Sequence, residues 1–257
     1  MRLKRVLWGT AAVLLAMVAL AGVGVYRLVA PLKPTVEGEV LGSSTAVLDG
    51  YSQVFVINSG RRAVILIDAG MDKEATAVRQ ALVSRNMGPD AVQAILLTHG
   101  HPDHIGGVGM FPNAEVYAHR EELDLLGGRV AADSPVARLM PRSKVNVRVT
   151  HPVEDGQVIR IGDKEIEVFH LPGHTEGSVA YLVDGLLYLG DSASGTKVGT
   201  VIPAPWIFSD DTRRNRRSLV KLAERLKGKE VRGLVFAHSG AIDDPQALQR
   251  LASELSR

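Results

Sequence analysis

The chain has 257 residues, 46% of them apolar, with no cysteine and a formal net charge of +2. That composition suits one large folded domain and excludes wholesale disorder, a disulfide scaffold, thiolate metal sites and lipid attachment through an N-terminal cysteine. Residues 1–36 hold five positive charges and no acid, so taking five from +2 leaves −3 for the remainder, and nucleic acid is not expected as a partner.

MRLKR is followed by 21 uncharged residues, Val6 to Tyr26, about the length of a membrane-spanning helix. Arg2, Lys4 and Arg5 precede the run, which predicts a cytoplasmic N-terminus and a domain on the extracytoplasmic side. Residues 1–30 are therefore expected to be a single-pass membrane anchor. The alternative is a signal peptide cleaved near Ala21, since Ala19-Leu20-Ala21 resembles a processing site, which would release a secreted or periplasmic protein. Residues 31–39, with Pro31 and Pro34, read as a linker, and residues 40–257 as one domain.

Within that domain, TAVLDGYSQVFVI predicts a hairpin closed by Asp49-Gly50, followed by a strand in AVILIDAG. Met71 to Asn86 has helical spacing, and AVQAILLT (91–98) is a continuous apolar run, as in a buried strand. AEVYAH is a short strand, and REELDLLGG a short helix stopped by Gly127-Gly128. Residues 129–145 suit a surface loop near a site. NVRVT, GQVIRI, KEIEVFHL, SVAYLV and LLYLG read as strands, Thr212–Lys227 as a helix, VRGLVFA as a strand and Pro245–Ser256 as a final helix. Two halves of strands and helices imply two sheets packed face to face with helices outside.

The chemistry concentrates after the strand at 91–98, in THGHPDHIGG. His99 and His101 are two apart, so their imidazoles can point the same way from an extended backbone. Asp103 and His104 follow on a turn that Pro102 aids, and Gly106-Gly107 reads as a turn that lets the next helix leave sharply. Imidazole nitrogens with a carboxylate suit zinc, manganese or iron. Three further histidines stay outside this reading: His119 as structural or exposed, His151 as solvated, and His170 as facing away from the site.

THGHPDH resembles the signature of the metallo-β-lactamase fold superfamily, whose members are four-layer αββα sandwiches of mixed α/β class with the site at one edge. The other positions of that pattern are filled in order: Asp68 in ILIDAG, His174 in LPGHTEGS, Asp191 in LLYLGDS and His238 in LVFAHSG. The resemblance covers about residues 40–256. It implies one divalent metal held by His99, His101 and His174, and a second held by Asp103, His104 and His238. Asp191 would bridge them, and Asp68 would orient a ligand from behind. Zinc is expected first, with Mn²⁺ or Fe²⁺ as alternatives. The implied mechanism is attack by a hydroxide bridging two ions about 3.5–4 Å apart on an ester-, lactone- or thioester-type bond of a small-molecule substrate. Asp103 would act as both ligand and proton carrier.

The lack of cysteine departs from β-lactamases with a cysteine ligand, and Asp191 from dinuclear β-lactamases without a bridging carboxylate. Only 19 residues follow His238, too few for the helical glutathione-binding domain of glyoxalase II. Flavodiiron reductases carry Glu where this chain has His101. The alternatives are a mononuclear-iron oxygenase of the persulfide type, β-lactamase or phosphodiesterase activity on the same fold, or a non-catalytic binding module. Pro203, Pro205, Trp206, Ile207 and Phe208 are read as an apolar wall of the pocket or a loop packed on the core. Arg213, Arg214, Arg216 and Arg217 are read as a solvated face or as contacts to an anionic group.

Overall fold

The computed structural model describes residues 22–139 and 146–257. Most of the expected membrane anchor, and the end of the loop expected at 129–145, lie outside the described residues. Residues 22–29 are helical, and among the described residues no helix is long and apolar enough to cross a membrane. Lys33–Arg257 forms one compact unit.

Seven strands form the first sheet in chain order: β1 (Val40–Leu41), β2 (Ser44–Asp49), β3 (Ser52–Asn58), β4 (Val64–Ile67), β5 (Val92–Leu96), β6 (Glu115–His119) and β7 (His151–Val153). The pairs from β1 to β4 are antiparallel and those from β4 to β7 parallel. The expected hairpin forms, but Asp49 pairs with Ser52, so Gly50-Tyr51 is the loop. Gly50 supplies the positive φ of 67° that a tight turn needs.

The second half contributes β8 (Val158–Ile161), β9 (Lys164–His170), β10 (Val179–Val183) and β11 (Leu186–Tyr188), then a separate hairpin of β12 (Ala193–Gly195) and β13 (Val201–Pro203), and last β14 (Gly233–Val235). The five-stranded sheet runs β14-β11-β10-β9-β8. NVRVT does not form the expected strand, because the chain joins the sheet only from His151. Val147 instead packs its side chain into the outer core while its backbone stays unpaired with a strand.

Alternation along the strands builds the layers. Ile65 and Ile67 enter a central core with Leu96, Tyr117, Val168, Tyr181 and Val235 from the two sheets. Val64 and Leu66 point the other way, onto Val78 and Leu82 of α1 (Thr76–Val83). Behind the second sheet, α4 (Thr212–Arg225) and α5 (Gln246–Leu255) bury Leu219, Leu222, Leu248 and Leu251 against Phe169, Leu187 and Phe236. Two short helices, α2 (Pro102–Ile105) and α3 (Leu123–Leu126), lie between these in sequence. The result is a mixed α/β sandwich of two sheets with helices outside.

The glycines after α2 serve a purpose other than the expected turn. Gly106 and Gly107 lack positive φ, but their N–H groups donate to Gly70 O and Ala69 O at 2.7 and 3.1 Å. A Cβ on Gly106 would meet Met71 O at 2.3 Å, and one on Gly107 would meet Ala69 O at 2.5 Å. The backbone after β4 thus presses directly on the end of α2, which fixes Asp103 and His104 against Asp68.

Candidate metal centre

Every residue of the expected ligand set follows a strand end on one edge of the sandwich. Asp68 ends β4, and His99 and His101 leave β5. Asp103 and His104 sit on α2, with Pro102 at its first position, where the missing N–H costs no bond. His174 lies between β9 and β10, Asp191 follows β11, and His238 follows β14.

The side chains converge in two groups. His99 Nε2, His101 Nδ1 and His174 Nε2 lie 3.0–3.2 Å from one another. Nitrogens around one tetrahedral zinc would be about 3.3 Å apart at the usual Zn–N bond length. In the second group, His104 Nε2 and His238 Nε2 lie 3.4 and 3.3 Å from Asp103 Oδ2. Asp191 reaches both: its Oδ2 is 3.5 Å from His174 Nε2 and 3.0 Å from His238 Nε2, and its Oδ1 is 3.4 Å from His104 Nε2. The ligand atoms within each such group lie inside 4.8 Å of one another.

The outer hydrogen bonds decide which nitrogen is bare. Asp68 Oδ2 accepts from His104 Nδ1 at 2.8 Å and from the Thr98 hydroxyl at 2.8 Å, and its Oδ1 accepts from Thr98 N at 2.7 Å. With its proton given to Asp68, Thr98 Oγ1 can only accept from His99 Nδ1, 3.1 Å away. Ser209 donates to Pro205 O, so it accepts from His174 Nδ1 at 3.3 Å. Tyr51 O accepts from His238 Nδ1 at 2.8 Å. Four imidazoles are thereby held with Nδ1 protonated and Nε2 turned into the centre, bare on neutral His99 and His174 and freed on His104 and His238 when a cation displaces their second proton. His104 Nε2 and Asp191 Oδ1 are buried without a hydrogen-bond partner. Inward-facing Nε2 atoms whose rings are backed by acceptors, beside an unpartnered carboxylate oxygen, fit what a divalent cation requires.

The groups differ in charge. Burial, together with the neighbouring histidines, holds His99 well below the ordinary imidazole range; burial also lowers His101 to about 4 and His174 to about 3. Those three are neutral at pH 7. Burial opposes charge on His104 and His238 too, but Asp103 and Asp191 outweigh it, raising His104 well above the usual range and His238 to about 10. Asp103 and Asp191 are lowered despite their own burial, by His104 and His238.

The histidines left out of the reading stay out. His119 and His170 stack with centroids 3.8 Å apart, and His170 Nε2 bonds Glu176 O. His151 is exposed at the start of β7 and stacks on Tyr117. Trp206 and Phe208 are 64% and 43% exposed, so they do not pack on the core. The short 3-10 turn they form delivers Ser209 to His174. Arg214 bonds Glu176 and is capped through its N–H by Asp211, while Arg213, Arg216 and Arg217 lie on the exposed face of α4.

Ser209 and Glu122 were not singled out from the sequence. Glu122 is 1% exposed, in the turn after β6, and its carboxylate accepts from Gly100 N at 2.6 Å and Gly177 N at 2.8 Å. A lone serine in WIFSDD and one acid of REE carry no local pattern that would mark them.

The profile of the metallo-beta-lactamase superfamily matches residues 47–238. The hydroxyacylglutathione hydrolase of Photobacterium profundum is 29% identical over 84% of this chain and 75% of its own length. That of Vibrio cholerae (strain O395) is 38% identical over 60% of this chain and 50% of its own length. The chain thus spans between half and three quarters of these two relatives. In solved structures, a subclass B3 metallo-beta-lactamase of Bradyrhizobium japonicum superposes with a TM-score of 0.64 at 19% identity, covering 88% of this chain and 92% of that one, a likeness of fold alone.

Proposed function

The chain belongs to the metallo-β-lactamase superfamily, and on that premise we propose that it is a metal-dependent hydrolase of an acyl bond in a small molecule, of ester, lactone or thioester type. The observation that carries this reading is the set of four Nε2 atoms turned inward by Thr98, Asp68, Ser209 and the Tyr51 carbonyl. His99, His101 and His174 would hold one divalent ion; Asp103, His104 and His238 a second; Asp191, within reach of both groups, would be shared. When bound, such ions supply Lewis acidity and bring the pKa of a coordinated water to about 7.

The chain's own residues do the rest. Thr98, Asp68, Ser209 and the Tyr51 carbonyl keep the imidazoles in one tautomer and one orientation. Asp103 is partly open, with 14% of its side chain exposed, and its Oδ2 faces His238 and His104. It can therefore take a proton at the mouth of the site and pass it outward. The buried strand ends exclude water behind the ligands. Thioesters belong in the substrate class because relatives bear the name hydroxyacylglutathione hydrolase.

The test is turnover by the purified protein, supplied with zinc or manganese, against lactone, thioester, β-lactam and phosphodiester substrates. We expect hydrolysis of a lactone or thioester, reduced about 10²–10⁴-fold by Asp103→Asn. No hydrolysis, with iron content and oxygen uptake instead, would replace this reading with oxygenase chemistry.

The uncharged run Val6–Tyr26 behind Arg2, Lys4 and Arg5 supports a membrane-anchored protein with this domain outside the cytoplasm. The full chain should then sediment with membranes and deletion of residues 1–30 should release it; a full chain that stays in the soluble fraction uncleaved contradicts the anchor.

A further inference from the structure

Glu122 is a buried carboxylate that the reaction does not consume. Its oxygens take the N–H of Gly100 and the N–H of Gly177. No cation pairs with it among the described residues. Gly100 stands between His99 and His101, on the loop that leaves the first sheet. Thr175 and Gly177 follow His174, on a loop of the second sheet. One side chain therefore ties together the two loops that bring the three-histidine group into register.

The surroundings are built around this carboxylate. A Cβ on Gly177 would meet Glu122 N at 2.4 Å and Glu122 Oε2 at 2.6 Å. A Cβ on Gly100 would lie 3.2 Å from Glu122 Oε1 and 3.1 Å from Leu125. A spacer alone would not need a charge, since burying a carboxylate with only dipolar donors opposes folding. Burial pushes Glu122 up to about 7, and the neutral histidines beside these loops carry no charge to hold it ionised; a divalent cation among them would.

We propose that Glu122 is a positioning residue for the first metal: it sets the spacing of the His99–His101 and His174 loops and supplies a buried counter-charge to the ion they hold. This rests on the metal reading given above. It concerns affinity at one group of ligands and leaves the other alone, because neither Asp103, His104 nor His238 lies on a loop that Glu122 bonds.

The test is zinc competition against a chromophoric chelator, starting from metal-free full-length protein. The His238→Ala background isolates the three-histidine group, and the His101→Ala background isolates the other. Glu122→Gln keeps the volume but turns an NH₂ toward one of the two N–H donors; Glu122→Asp keeps the charge on a shorter arm. We expect zinc binding by the three-histidine group to weaken about 10–100-fold in Glu122→Gln and less in Glu122→Asp, with the second group within about threefold of wild type. Should Glu122→Gln fail to fold, the selective loss in Glu122→Asp decides. Equal losses at the two groups, or none, overturn the inference while leaving the metal reading intact. Wild-type protein that takes up no zinc overturns both.

Discussion

Replacing Asp68 with asparagine is expected to disable both metal groups while sparing the backbone. Asp68 sits at a φ of 60°, a left-handed conformation that asparagine tolerates and that would cost alanine about 1–2 kcal/mol. The amide oxygen would stay on Thr98 N. The NH₂ would then occupy the place of Oδ2, where it must donate to the Thr98 hydroxyl and to His104 Nδ1. Both partners would reverse. His104 would carry its proton on Nε2, pointing at Asp103 and Asp191, and Thr98 would donate to His99 Nδ1, placing the His99 proton on Nε2 as well. His99 would lose the lone pair a cation needs, and His104 could no longer give up its Nε2 proton to a cation, because its Nδ1 would face a donor. Zinc affinity at each group should fall about 10–100-fold, and turnover with it. Melting of the metal-free proteins should place Asp68→Asn above Asp68→Ala. Asp68→Asn protein that binds zinc as wild type does would show that Asp68 does not set these tautomers.

Asp68 and its partners also mark what a sequence can and cannot reveal. The convergence of these histidines and aspartates was legible because they carry their chemistry in their identity, and because AVQAILLT and ILIDAG mark buried strands whose ends must carry loops. The two-sheet sandwich was legible for the same reason. The groups that make the ligands usable were mostly hidden. The acceptor for His238 is a main-chain carbonyl 187 positions away, and that for His174 a serine 35 positions on; neither leaves a local pattern. Strand edges failed where burial and pairing separate. Val147 is buried without joining the sheet, so NVRVT looks like a strand from its side chains alone. The hairpin of β12 and β13 escaped because three-residue strands such as ASG carry no period. Gly106-Gly107 read as a turn because glycine marks both turns and close backbone approach, and only the contacts with Ala69 and Met71 distinguish them.

The difference in charge between the two groups predicts an order of metal uptake and its dependence on pH. In the metal-free protein, His104 and His238 hold protons against Asp103 and Asp191, His238 up to about pH 10. A folded pKa raised above 6.5 stabilises the metal-free fold fully below pH 6.5, and that stabilisation is lost as pH rises toward 10. A cation entering the second group must displace the same protons. Its affinity should therefore rise about tenfold per pH unit for each proton released, and up to about a hundredfold per unit if His104 and His238 both give theirs up. The first group has no such proton to lose, because His101 and His174 are held near 4 and 3 and His99 well below its usual value. Between pH 6 and 8 its affinity should change by less than about threefold. Zinc added to metal-free protein at pH 6 should thus stop near one ion per chain, and at pH 8 reach two. Calorimetry in buffers of different ionisation enthalpy would count the protons, with one to two released in the second step and none in the first. Equal pH slopes for the two steps would mean that Asp103 and Asp191 do not hold those protons, and the division into a neutral and a charged group would fail with them.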